Sequence, residues 1–150
     1  MKYILHKPYF LFLAVTIIFL TIGFVKPEEK LVINIYDIYI VINYLDFAWL
    51  LTLIYAFFIL IYFFLIKMNY ALINWMIVTH VLISIGGLFL IWIFYELTRE
   101  TNPGDFKNLI SDIDFNSKMR WGIIVSVFSI IGTQVIFLVN VIQALLIGKE

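Results

Sequence analysis

Four long apolar runs leave this chain few folds to choose from. Tyr9–Val25, Ile38–Ile66, Tyr70–Tyr95 and Trp121–Ile147 are uncharged or nearly so. Each meets or exceeds the roughly 17–25 residues that an α-helix needs to cross a bilayer. In water that much apolar surface has nowhere to go. Hydrophobic residues make up 64% of the chain and charged ones 13%, whereas a soluble domain is about half apolar and about a quarter charged. The expected fold is therefore a single all-α membrane domain over residues 1–150. Four transmembrane helices form an antiparallel bundle, and a short amphipathic surface helix lies between the third and the fourth.

The remaining composition is chiefly useful for what it excludes. Net charge is zero, so nothing points to nucleic acid as a partner. The absence of cysteine rules out disulfides, thiolate metal sites and thioether haem attachment. The two histidines, His6 and His80, limit any metal chemistry. No small-x-small cleavage site precedes Lys26, so the first run is expected to remain as a span and not to be removed as a signal peptide.

The second run is the unusual one. Its lead-in, Val32–Tyr36, alternates like an extended strand, and Asp37 stands where a helix N-cap would stand. A helix from Ile38 puts Tyr39, Asn43 and Asp46 on one face. Asp46 is the only formal charge between Ile38 and Ile66. At about 43 Å the run exceeds a hydrocarbon core of about 30 Å, so the helix must tilt or project. Asp46 is then either an intramembrane carboxylate, which is a functional candidate, or an interfacial residue on the projecting end.

The connections differ in character. Lys67-Met68-Asn69 is so short that runs two and three must form a helical hairpin. Run three carries Gly86 and Gly87, expected in helix–helix contact or at a subunit interface, and His80, expected as a hydrogen-bonded interior histidine. Between runs three and four, Asn102-Pro103-Gly104-Asp105 reads as a helix start. The apolar face of Phe106, Leu109, Ile110 and Ile113 makes the surface helix, near Pro103–Ile113. Asp112, Asp114 and Asn116 alternate as at the opening of a calcium loop, but the glycine and closing glutamate are missing, so a solvated acidic surface is expected. Run four has a polar stripe, Ser126, Ser129, Thr133, Asn140 and Gln143, expected to face other helices or a wet cavity.

Charge does not orient the chain. With both termini inside, Lys2, Lys7, Lys67 and Lys149 oppose Lys26, Lys30, Arg99, Lys107, Lys118 and Arg120 outside, mildly against the positive-inside rule.

The stretch Tyr36-Asp37-Ile38-Tyr39-Ile40-Val41-Ile42-Asn43-Tyr44-Leu45-Asp46 resembles a segment of haem–copper oxidase subunit I, of the form H-D-T-Y-x-V-x-x-H-x-H. Asp37, Tyr39 and Val41 match in register, and Ile33-Asn34-Ile35 resembles the family's extended lead-in. One helix before the motif and three after it are similar to the last four helices of that subunit's core, so the resemblance spans nearly the whole chain. It implies the motif near the outer face, both termini in the cytoplasm, and an inner-membrane location. It does not imply the family's cofactors. The two haem-ligating histidines of H-x-H are Tyr44 and Asp46 here, and the further histidines that the family needs are missing. His80 is left as a weak candidate cofactor ligand. The expectation is a protein with no cofactor and no metal of its own.

No nucleophile–base pair, phosphate loop or metal motif suggests an enzyme. The reading is a non-catalytic accessory, assembly or scaffold subunit of a membrane complex. Its partners are the lipid bilayer and other membrane subunits or further copies of the chain. Two alternatives stay open: a small oligomeric pore built on the polar face of helix four and Asp46, and a haem-binding redox protein using His80.

Overall fold

The computed structural model describes residues 7–35, 38–99 and 106–149. Four helices are long and apolar enough to span a membrane: α1 (Pro8–Val25), α2 (Tyr44–Lys67), α3 (Asn74–Glu96) and α4 (Phe106–Ile147). Between α1 and α2 stand two strands, β1 (Lys30–Ile35) and β2 (Ile38–Asn43), paired antiparallel. The chain is a multi-pass integral membrane protein.

Helix α1 begins with proline at its first position, where the missing N–H costs nothing. Within α1, the hydroxyls of Thr16 and Thr21 donate to the carbonyls of Phe12 and Ile17, each at 2.8 Å. That is how a threonine is tolerated where no water is available.

The second helix starts at Tyr44, six residues later than the apolar run suggests. Ile38–Asn43 is strand, because Ile38, Ile40, Val41 and Ile42 are β-branched and face a matching set on β1. The register pairs Ile35 with Ile38, Ile33 with Ile40, Val32 with Val41 and Leu31 with Ile42. At the root the Tyr44 N–H donates to the Glu29 carbonyl at 2.9 Å. Tyr39 is thus in the ribbon, not on a helical face with Asn43 and Asp46. Asp37, expected as the N-cap, lies outside the described residues. The N-cap is Asn43 in extended conformation, without a side-chain cap bond. The shortened α2, 24 residues and about 36 Å, suits a hydrocarbon core of about 30 Å with modest tilt.

The third helix also starts late, at Asn74 and not Tyr70. Asn69 takes a left-handed φ of 56°, ending α2 as asparagine often does. Tyr70 then bridges Lys149 in antiparallel fashion, and the Ala71 N–H donates to the Gly148 carbonyl at 3.2 Å. The C-terminal end holds this connection extended.

Among the described residues no separate surface helix appears. Phe106–Ile147 is one continuous helix of 42 residues. No glycine or proline lies between Phe106 and Trp121, so nothing stops the α-helix, and at about 63 Å its N-terminal part must project well beyond the bilayer. The Asn102–Asp105 start signal lies outside the described residues.

The bundle is two antiparallel pairs, α1 with α2 and α3 with α4. In the first pair Phe12 packs on Tyr55, Phe58 and Tyr62, while Phe19 meets Phe47 near the other end. Gly23 sets the approach: a Cβ there would sit 3.0 Å from the Ala48 Cβ and 3.1 Å from the Leu45 Cα, a backbone contact that cannot yield. In the second pair Gly87 faces Ile130 and Gly122 faces the Phe94 ring. Within the bundle Gly86 makes no close helix contact, since a Cβ there meets nothing within 4 Å; on a helix its neighbour Gly87 is turned about 100° away, and Gly87 is the contact residue. The pairs join through a core of Phe12, Tyr55, Phe58, Tyr62, Ile77, Val81 and Phe137.

Candidate functional site

The main polar cluster of the interior centres on His80, in the second turn of α3. The imidazole is fully buried (0% exposed). Its Nδ1 lies 3.0 Å from the Tyr62 hydroxyl on α2, and its Nε2 lies 3.1 Å from the Gln134 Oε1 on α4. The ring stacks on Phe137 at 4.7 Å and 24°, and Phe58 meets it edge-on at 4.9 Å. Phe12 of α1 stands 5.4 Å away. All four helices therefore contribute to one cluster.

The proton positions follow from one fixed acceptor. The Gln134 amide nitrogen lies 2.7 Å from the Ile130 carbonyl, which can only accept, so that nitrogen donates. It also donates to the Ser84 hydroxyl at 3.3 Å. Gln134 Oε1 then faces His80 and accepts from Nε2–H. The Nδ1 of this neutral imidazole keeps its lone pair and accepts from the Tyr62 hydroxyl. Nearby, the Tyr55 hydroxyl donates to the Ser84 carbonyl at 3.0 Å. Each bond has one consistent direction, as a buried polar network needs.

Around this cluster the α4 polar positions divide. Ser126, Thr133 and Asn140 are buried, spaced by seven residues on one face. Ser129 is exposed and bonds its own helix at the Val125 carbonyl, so it does not belong to the inner face. Gln143 is half-buried. Thr133 Oγ1 is the one buried side-chain polar atom without a hydrogen-bond partner among the described residues. Sequence reasoning missed Gln134, because it sits one residue off the stripe. Depth matching in an antiparallel pair would have found it, since α4 numbers fall as α3 numbers rise: 73 meets 140 and 80 meets 134.

Two asparagines of α4 clamp the ends of α3. Asn140 accepts from the Ile73 N–H at 2.8 Å and donates to the Ile73 carbonyl at 3.3 Å. Asn116 does the same to Arg99, with both bonds at 2.8 Å. The Arg99 guanidinium reaches Asp112 at 2.9 Å and lies 4.1 Å from the centre of the Phe115 ring. The acidic surface expected at Asp112–Asn116 is thus engaged in holding the end of α3.

Asn43 and Asp46 stand apart from the interior. Both are at the start of α2, joined by an Asn43 Nδ2 to Asp46 Oδ2 bond of 3.0 Å, with Asp46 exposed. Among the described residues no three His, Asp or Glu side chains converge as metal ligands would, and His6 lies outside them. The described residues offer no free axial ligand for a haem. Both nitrogens of His80 are engaged within the bundle, and aromatic rings pack against it. Tyr44 and Asp46 lie in the first turn of α2, two residues and about 200° apart.

Fold and site together define a multi-pass helical membrane protein with a hydrogen-bonded polar cluster in its core. No family model, curated protein or solved structure matches the chain.

Proposed function

We propose that this chain is a non-catalytic accessory or scaffold subunit of a membrane complex. The observation that carries the reading is the hydrogen-bonding of His80. The only described histidine has no free lone pair, and the polar groups beside it are paired with one another. A redox or transfer centre keeps a position open for its substrate or cofactor; this interior closes the corresponding positions with Tyr62 and Gln134. Such a network fixes the register of helices that lipid alone would not order. The buried polar residues of α4, Ser126, Thr133 and Asn140, face the inside of one bundle, which favours a structural role over a pore.

The resemblance to haem–copper oxidase subunit I suggests a subunit-like fold that belongs with other membrane subunits. It also suggests the orientation, with the ribbon outside and both termini in the cytoplasm. A reporter fused after Glu150 should be active on the cytoplasmic side; activity on the far side would sink this orientation.

The central test is purification from native membranes in mild detergent, followed by subunit identification and a reduced-minus-oxidised spectrum. Another membrane subunit should co-purify in fixed ratio. Any Soret absorbance should leave with that subunit when it is stripped off. A stoichiometric Soret band that stays with the isolated chain and vanishes in His80→Ala would overturn the reading in favour of a haem protein.

A further inference from the structure

The β1–β2 ribbon has two unlike faces. Alternate residues of a strand point to opposite faces, and directly paired residues share one. By register, Leu31, Ile33, Ile35, Ile38, Ile40 and Ile42 are positions of one face. Lys30, Val32, Asn34, Tyr39, Val41 and Asn43 are positions of the other. The first set is wholly aliphatic; the second holds a cation, two amides and a phenol. A two-stranded ribbon is marginal by itself in water; on the aliphatic face Ile40 is exposed and Leu31 and Ile42 are half-buried.

Its placement says what covers it. β2 passes into α2 with no residue between them, and β1 begins five residues after α1 ends. The ribbon therefore stands at one end of two spanning helices, at the level where they leave the hydrocarbon. At six residues per strand it is about 20 Å long, whereas the interfacial layer on each side of the hydrocarbon is only about 5–8 Å deep. An upright ribbon would carry its aliphatic positions out into water. A ribbon lying flat keeps them against lipid. Its outer edges have unpaired backbone groups, which exclude it from the hydrocarbon itself but are satisfied among headgroups and water. Lys30 and Tyr39, on the polar face, are residue types that favour this level.

We propose that the paired strands β1 and β2 are a membrane-surface element. It lies flat on the bilayer, with the Ile40/Ile42 face on the lipid and the Tyr39/Val41 face toward water. This inference is independent of the accessory-subunit reading.

The chain has no cysteine, so single cysteines report cleanly. Tyr39→Cys, Ile40→Cys, Val41→Cys and Ile42→Cys would each be nitroxide-labelled in the full chain. The purified protein would be reconstituted into phosphatidylcholine–phosphatidylglycerol vesicles. The ratio of collision with oxygen to collision with a water-soluble nickel chelate should alternate, several-fold higher at 40 and 42 than at 39 and 41. Equal chelate access at all four positions overturns the proposal in favour of a ribbon in water. Spin–spin broadening that disappears on dilution with unlabelled protein overturns it in favour of a second copy covering the face. Leu31→Cys and Val32→Cys repeat the test on β1, with 31 on the lipid side, should a β2 variant fail to fold. Loss of alternation there is equally fatal.

Discussion

His80→Ala is expected to cost the bundle about 3–5 kcal/mol, the largest effect of any single substitution considered. Truncating a buried ring leaves a cavity whose lining relaxes only in part, the main term for large aromatic-to-alanine changes. Here that lining is the aromatic set Phe12, Phe58 and Phe137. The Tyr62 hydroxyl and the Gln134 carbonyl oxygen also lose their partner where no water replaces it, at about 1–3 kcal/mol for each unsatisfied group. Thermal unfolding in detergent reads the total. A midpoint unchanged from wild type would mean that His80 is not in the core.

A milder series separates packing from hydrogen bonding. His80→Phe keeps a ring in the aromatic cluster but strands both partners. Tyr62→Phe strands Nδ1 alone. With both substitutions the Tyr62–His80 bond is lost without an orphaned hydroxyl. The coupling in this double-mutant cycle is expected at about 1–2 kcal/mol. That is the upper part of the range measured inside membrane proteins, where the average is nearer 0.6, because both groups are fully buried.

Four spans were readable from the sequence because length and charge depletion alone decide them. The boundaries were not, and each error has a physical origin. Hydropathy does not distinguish a β-branched strand from the first turns of a helix, so Ile38–Asn43 was absorbed into α2. The partner that decides the matter, Lys30–Ile35, is a separate stretch of chain. The extension of α4 was hidden differently. Asp112–Arg120 is polar enough to read as a loop, yet it contains no breaker, and Arg99 fixes it through Asp112 and Asn116. Of the interior, His80, Thr133 and Asn140 were visible as polar residues in apolar runs. The partners of His80 and Asn140, namely Tyr62, Gln134 and the Ile73 backbone, were not, since pairing depends on depth and rotation across helices. Gly86 and Gly87 show the same limit, for sequence cannot say which of two adjacent glycines faces a neighbour.

The two asparagine clamps make a comparison in which geometry is held nearly constant and environment is not. Asn140 and Asn116 each take a donor and an acceptor from one backbone residue at an end of α3, at 2.8–3.3 Å. Asn140 is 1% exposed; Arg99, the residue that Asn116 holds, is exposed and open to water. Asn140→Ala should therefore cost about 2–4 kcal/mol, from the stranded Ile73 N–H and the space left behind. Asn116→Ala should cost about 0.5–1.5 kcal/mol, because water replaces the lost bonds. Asn140→Leu restores volume without the bonds and should recover less than half of the alanine loss. Amide exchange adds a local reading. In Asn140→Ala the first turn of α3, Asn74–Ile77, should lose protection, while Arg99 and the last turn keep theirs. In Asn116→Ala the pattern reverses at smaller amplitude. Equal costs for the two alanine variants would show that burial does not set the strength of these clamps, and full recovery by leucine would show that Asn140 acts only by filling space.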